Sequence, residues 1–152
     1  MQLIKQSKNK RKVYYDSELN IVRKIYQNKS PEEIEFLVCA IQDCFPGMYL
    51  DSGKDFIDIK YIDAKNYYIN MNADTDKMID FWWNEFERIT ELGYTYCDWN
   101  ASNTLVLDNG FMLIDYDSLY TLNRIERSKL SFIHHANKFN PNHTAIEYVH
   151  LY

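Results

Sequence analysis

Apolar-rich stretches at residues 2–6 and 13–16 flank the polar run Ser7-Lys8-Asn9-Lys10-Arg11-Lys12, and a third follows at 20–26, which predicts three consecutive strands. A period of two in the third strand puts Val22, Lys24 and Tyr26 on one face and Arg23 on the other. Ser30-Pro31-Glu32-Glu33 is a capping box with proline at the first helical position, opening a helix that runs to about Asp43 before Phe45-Pro46-Gly47 stops it. Ile34, Leu37, Val38, Ile41 and Cys44 form its apolar stripe, and on a helical wheel Glu33 falls inside that stripe, between Ala40 and Cys44. Residues 48–50 and 56–62 read as two more strands across a turn at Asp51-Ser52-Gly53-Lys54. Asp74 or Thr75 caps a long helix over 76–92 with Gly93 as its stop, and Met78, Ile79, Phe81, Trp82, Phe86, Ile89 and Leu92 make it the main core helix. Two short apolar runs, 104–107 and 111–114, surround Asp108-Asn109-Gly110; Asn-Gly in this setting predicts a hairpin with a type I′ turn. A helix over 123–139 and a short segment over 145–151 close the chain.

Composition narrows this picture. One chain of 152 residues, 46% hydrophobic and with 13 Tyr and 8 Phe, has the material for a single well-packed domain and not for disorder. Cys39, Cys44 and Cys97 form no CxxC pair, are odd in number, and are expected to be buried free thiols of a reducing compartment. The N-terminus lacks an apolar signal region and no apolar run approaches membrane-spanning length, so the expectation is a cytoplasmic protein with no membrane partner. Richness in Asn, Ile, Lys and Tyr suggests an AT-rich genome, bacterial or phage, in which case the compartment is the host cytoplasm. The net charge of −5 is uneven: residues 1–30 carry +6, leaving −11 for the rest. A basic arm on an acidic body allows phosphate binding, nucleic-acid contact or a solvated edge, and the acidic body argues against nucleic acid. Adjacent His134 and His135 diverge on a helix, and with His143 they lack the spacing of a zinc site.

The chemistry concentrates between Gly93 and Asp117. Asp98 stands five residues before Asn103, the hairpin follows at once, and its exit reads Ile114-Asp115-Tyr116-Asp117, so several hard oxygen donors lie on one loop and at strand ends. This order of parts resembles the catalytic loop and metal-binding segment of the protein-kinase-like superfamily, and in detail the aminoglycoside, choline and lipopolysaccharide-core kinases, which carry Ile-Asp-x-Asp or Ile-Asp-x-Glu at the hairpin exit.

The resemblance implies an α+β fold: a miniature bilobal kinase-like domain over 1–152, with a nucleotide-binding lobe (1–62) of a small antiparallel sheet plus one helix, a hinge, and a truncated, mainly helical catalytic lobe (63–152). It implies that Asp98 orients the acceptor hydroxyl and takes its proton, and that Asn103 and Asp115, with Asp117 as a third donor, hold Mg²⁺. On the cofactor side it implies Lys24 at the α- and β-phosphates, Val22 beside it against adenine, Glu33 pairing with Lys24 unless it only closes the capping box, and Lys60, Tyr61 and Ile62 as the hinge. The first hairpin lacks the family's glycines, so lysines of its turn would supply positive charge in their place. Tyr96 and Cys97 replace the family's His and Arg before the catalytic Asp, which speaks against control by activation-loop phosphorylation, and Asn100 replaces its Lys or His. Only 35 residues follow Asp117, too few for a substrate-holding lobe. The function implied is an ATP- and Mg²⁺-dependent phosphotransferase acting on a hydroxyl of a protein or other macromolecular acceptor; the alternative is a catalytically silent kinase-like module that binds and regulates a partner protein.

Overall fold

Ten strands and four helices are seen among residues 1–6, 11–67 and 73–152, which are those described by this computed structural model. They form two compact units, Met1–Asp63 and Ala64–Tyr152, in a mixed α+β architecture. Most of the turn expected to carry lysines to phosphate, residues 7–10, lies outside the described residues.

In the first unit β1 (Gln2–Gln6), β2 (Arg11–Asp16), β3 (Ile21–Tyr26), β4 (Tyr49–Ser52) and β5 (Phe56–Lys60) build one antiparallel sheet in the order β1-β2-β3-β5-β4. Asp16 turns the chain between β2 and β3, its Oδ1 accepting from the amides of Glu18 at 3.0 Å and Leu19 at 3.1 Å. The period of two holds in β3, where Lys24 and Tyr26 are buried and Arg23 faces the other way. A row across the sheet joins Val13, Lys24 and Ile57, all buried. On the opposite face Arg23 donates through Nε and Nη2 to the two oxygens of Asp58, each at 2.7 Å, with its guanidinium 4.1 Å from the centre of the Phe56 ring. Asp58 is directly across from Arg23 in the ladder, so register alone brings the ions together.

Helix α1 (Pro31–Cys44) starts at Ser30, whose Oγ accepts from the Glu33 amide while Glu33 Oε1 accepts from the Ser30 amide. It packs against β4 and β5 and buries Ile34, Leu37, Ala40, Ile41 and Cys44. Each fully buried Leu or Ile contributes about 1.5–3 kcal/mol, which outweighs helix propensity as the reason the helix persists. Gly47, at φ +89°, releases the chain toward β4.

The second unit contains β6 (Lys65–Asn66), α2 (Thr75–Glu91), β7 (Tyr94–Tyr96), β8 (Thr104–Leu107), β9 (Gly110–Leu113), β10 (Leu119–Thr121), α3 (Ile125–Phe139) and α4 (Thr144–Leu151). Strands β6, β8 and β9 form one antiparallel ribbon, and β7 and β10 another. Helix α2 is capped by Asp74, which accepts from the Lys77 amide at 3.1 Å, and ends before Gly93 at φ +93°. Its stripe is buried at Met78, Ile79, Trp82, Phe86 and Ile89. Leu92, expected on that stripe, is the C-cap residue at the end of the helix and is 47% exposed. Trp82, Phe86, Trp99 and Phe132 meet with ring centres 5.6–6.5 Å apart and form the aromatic centre of the unit. Both buried indoles are satisfied, Trp82 donating to Thr104 Oγ1 and Trp99 to Ser128 Oγ, each at 3.0 Å.

Two further expectations change. The β8–β9 hairpin forms, but Leu107 pairs with Gly110, so Asp108 and Asn109 are the loop residues and neither has positive φ. The turn is therefore not type I′; strand β9 begins one residue early, with Gly110 itself taking φ +157°. None of the three cysteines forms a disulfide, yet Cys39 is exposed on the outer side of α1 while Cys44 is buried and Cys97 half-buried. Among the described residues no helix is long and apolar enough to cross a membrane.

Candidate functional site

Asp98 follows β7 on a loop pinned at both neighbours. The Cys97 amide donates to the Ser118 carbonyl at 2.9 Å, and the Trp99 amide donates to Ser131 Oγ at 3.0 Å. With the Trp99 ring in the aromatic centre, the half-buried Asp98 has little freedom to turn. A short 3-10 turn, Ala101–Asn103, then delivers Asn103 back to it: Nδ2 of Asn103 donates to Asp98 Oδ2 at 2.7 Å and to its carbonyl at 3.2 Å. Asn100 completes a bracket. Its Nδ2 donates to Asp98 Oδ1 at 2.7 Å, and its own Oδ1 accepts from the Asn103 amide at 3.1 Å and from the Ser102 hydroxyl. Both carboxylate oxygens of Asp98 are thus held by carboxamides, and among the described residues it has no ion pair.

The same turn positions Asp115. The Asn103 carbonyl accepts from the Ile114 amide at 2.9 Å, and the Ile114 carbonyl accepts from the Tyr96 hydroxyl, so the exit of β9 is tied to the Asp98 loop from two sides. Asp115 itself has φ 62° and ψ 62°, the left-handed conformation that side-chain-bearing residues avoid. Such strain clusters at functional sites. Asp117, two residues on, is half-buried in the 3-10 turn Tyr116–Ser118. Burial holds the Tyr96 phenol well above its ordinary pKa; the charges of Asp115 and Asp98 push it further up, with the Asn103 side chain pulling the other way.

The donors present suit a hard divalent cation, since Asp115, Asp117 and Asn103 offer carboxylate and carboxamide oxygens. The Asn103 Nδ2 group is taken up by Asp98, so its Oδ1 is the atom that could meet a metal. Among the described residues no three His, Cys, Asp or Glu side chains are grouped for metal binding.

In the first unit, Lys24 is 9% exposed and Val22 lies two residues upstream on the same face. Glu33 does not join Lys24. Its carboxylate closes the capping box and reaches Lys29 Nζ at 3.9 Å, and its side chain is 58% exposed. The local partner, three residues away, wins over a distant one. Of the residues expected at the hinge, the Lys60 amide is bonded to the Met48 carbonyl at 2.9 Å and the Tyr61 amide to the Asn20 carbonyl at 3.0 Å. The Tyr61 ring packs on Tyr15 with centres 4.3 Å apart, and Ile62 is half-buried.

The structure joins Asp98 and Asn103, which sequence reasoning had paired, through a bracket of Asn100 and a strut from Tyr96 that it missed. Asn100 had one available signal, the preference of Asn for bonding a backbone amide a few residues ahead. Compared with the models of known protein families the chain matches none, and no curated protein matches it either.

Proposed function

We propose that the chain is a small ATP- and Mg²⁺-dependent phosphotransferase of the protein-kinase-like type, acting on a hydroxyl of a protein or other macromolecular acceptor. The observation that carries this reading is the direct bonding of Asn103 Nδ2 to Asp98 Oδ2, at 2.7 Å, on a loop whose backbone also holds the strand leading to Asp115. Phosphoryl transfer needs little covalent chemistry from protein, and positioning with charge stabilisation does most of the work. Asp98, fixed in orientation and without an ion pair among the described residues, receives the proton of the acceptor hydroxyl as the hydroxyl oxygen bonds to the γ-phosphorus and ADP leaves. Asn103 and Asp115, with Asp117, hold Mg²⁺, which when bound neutralises charge on the phosphate oxygens. Lys24 serves the α- and β-phosphates, with Val22 beside adenine and residues 60–62 at its edge. The five-stranded antiparallel sheet with a single helix agrees with a nucleotide-binding unit of this type.

One observation favours the second reading, a catalytically silent module that regulates a partner protein: Glu33, expected beside Lys24, serves its own helix cap instead. Thermal unfolding separates the two. With Mg²⁺ and ATP at ~100 times the dissociation constant the wild type should gain about 2.7 kcal/mol, and Asp115→Ala should lose that gain. No response at millimolar nucleotide in either protein would leave the silent module as the better reading.

A further inference from the structure

Beside the Asp98 loop, and wholly within the second unit, lies a cleft of about 540 Å³ that the roles given above leave unused. Its walls are mostly apolar, with Tyr67 and Phe139 in edge-to-face contact at 5.7 Å, while Asn100 and Ser102 form the side toward the loop and His135 and Lys138 come from α3. Its size is that of a ligand pocket and far exceeds a packing defect.

Three observations connect the cleft to the chemistry. Asn100 lines it and donates to Asp98 Oδ1 at 2.7 Å, so anything seated against Asn100 is one side chain from the proposed base. The Tyr67 hydroxyl is engaged with the Ala73 carbonyl at 2.9 Å and Thr75 Oγ1 at 2.6 Å, which leaves the ring as its contribution to binding. Among the residues lining the cleft the ionisable side chains other than the Tyr67 phenol are basic, with the Asp98 carboxylate behind Asn100. Burial pushes the His135 imidazole below its ordinary value, Lys138 and His134 add to that, and the Ser131 carbonyl and Asp98 oppose it, so His135 is neutral at pH 7 and the ammonium of exposed Lys138 remains as the cation. The Nδ1 of His135 lies 2.9 Å from the Ser131 carbonyl, which fixes the proton on Nδ1 and makes Nε2 an acceptor.

We infer that this cleft is the acceptor site: it takes an apolar side chain, aromatic or branched aliphatic, of a protein acceptor whose adjoining residue is acidic and rests on Lys138, with the hydroxyl to be phosphorylated presented to Asp98 past Asn100. The assignment rests on the phosphotransferase reading and adds to it the class of acceptor. An aromatic anchor in a preformed apolar pocket is a usual source of affinity in protein recognition, and a single peripheral cation supplies orientation.

The test uses the whole chain as wild type, Lys138→Glu and Ser102→Trp, the last of which fills the cleft. Two probes are applied: 8-anilinonaphthalene-1-sulfonate, an anionic fused-ring fluorophore, and a degenerate peptide library in which each member has one Ser, Thr or Tyr. The fluorophore should saturate the wild type, and its dissociation constant should rise about tenfold in either variant. Lys138→Glu should keep the rise in unfolding midpoint caused by Mg²⁺ and ATP. The wild type should phosphorylate peptides with an apolar residue and an Asp or Glu near the hydroxyl, and Lys138→Glu should turn that preference toward Lys and Arg. Fluorophore binding indifferent to both substitutions, or transfer that ignores the residues flanking the hydroxyl, overturns the cleft assignment while phosphotransfer stands. Absence of both the midpoint shift and any transfer overturns the phosphotransferase reading, and the acceptor role falls with it even where the fluorophore binds.

Discussion

Two aspartates in this protein are held firmly and in opposite ways. Asp58, in the first unit, is 3% exposed and is gripped by both arms of the Arg23 guanidinium at 2.7 Å. Asp98, in the second, is half-buried and gripped by the carboxamides of Asn100 and Asn103 at the same distance. The guanidinium cancels the charge of its partner, and the pair's remaining role is to fix register and cover a sheet face. Carboxamides orient a carboxylate and keep its negative charge intact, available to a proton or a cation. How each carboxylate is restrained, more than how deeply it is buried, is what suits Asp58 to structure and Asp98 to the chemistry proposed for it.

Substitutions can break that contrast in order of expected effect. Asp98→Ala should reduce phosphoryl transfer by about 10²–10⁴-fold, the usual worth of a positioned base, while the unfolding midpoint stays within a few degrees of wild type. Undiminished transfer would remove Asp98 from the chemistry. Asp58→Ala should do the reverse, lowering stability in denaturant titration by about 2 kcal/mol, because a guanidinium designed into the sheet loses both acceptors but retains partial access to water. Asn100→Ala should cost about 1 kcal/mol and reduce transfer only in part, since Asn103 still holds one oxygen of Asp98. The smallest effect concerns acid. The folded state disfavours protonated His135, whose value is lowered, so the unfolded chain takes up the proton first and stability falls as the solution is acidified below the ordinary histidine range. His135→Gln should flatten that part of the stability–pH profile, and an unchanged slope would assign it to other groups.

Features that depend on neighbours in sequence were legible. The capping box at Ser30, the stop at Gly93, the stripe of α2 and the Asp98–Asn103 spacing each arise from contacts within a turn or a loop, and each has a residue-type signature. What escaped depends on partners far along the chain. The three-residue strands β7 and β10 pair across more than twenty positions and have no pattern long enough to register. Tyr96 reads from sequence only as a replacement for the family's His, and nothing local signals that the exit of β9 brings the Ile114 carbonyl to its hydroxyl. Glu33 illustrates competition: the helical wheel placed it in a buried stripe, but a carboxylate at the first turn has a cap amide within reach and stays in water beside Lys29. The hairpin turn failed for a subtler reason, as Asn-Gly marks the bend without saying which two residues span it, and the extra pairing of Gly110 moved the loop back by one.

The left-handed backbone of Asp115 sets robustness against activity at a single position. Glycine occupies that conformation without penalty, whereas an L-residue gives up roughly 1 kcal/mol, less for Asp than for most. Asp115→Gly removes that backbone cost and, with it, the carboxylate and the contacts the side chain makes. On the phosphotransferase reading a screen for transfer rejects the exchange, and the change in unfolding midpoint weighs the backbone gain against the lost contacts.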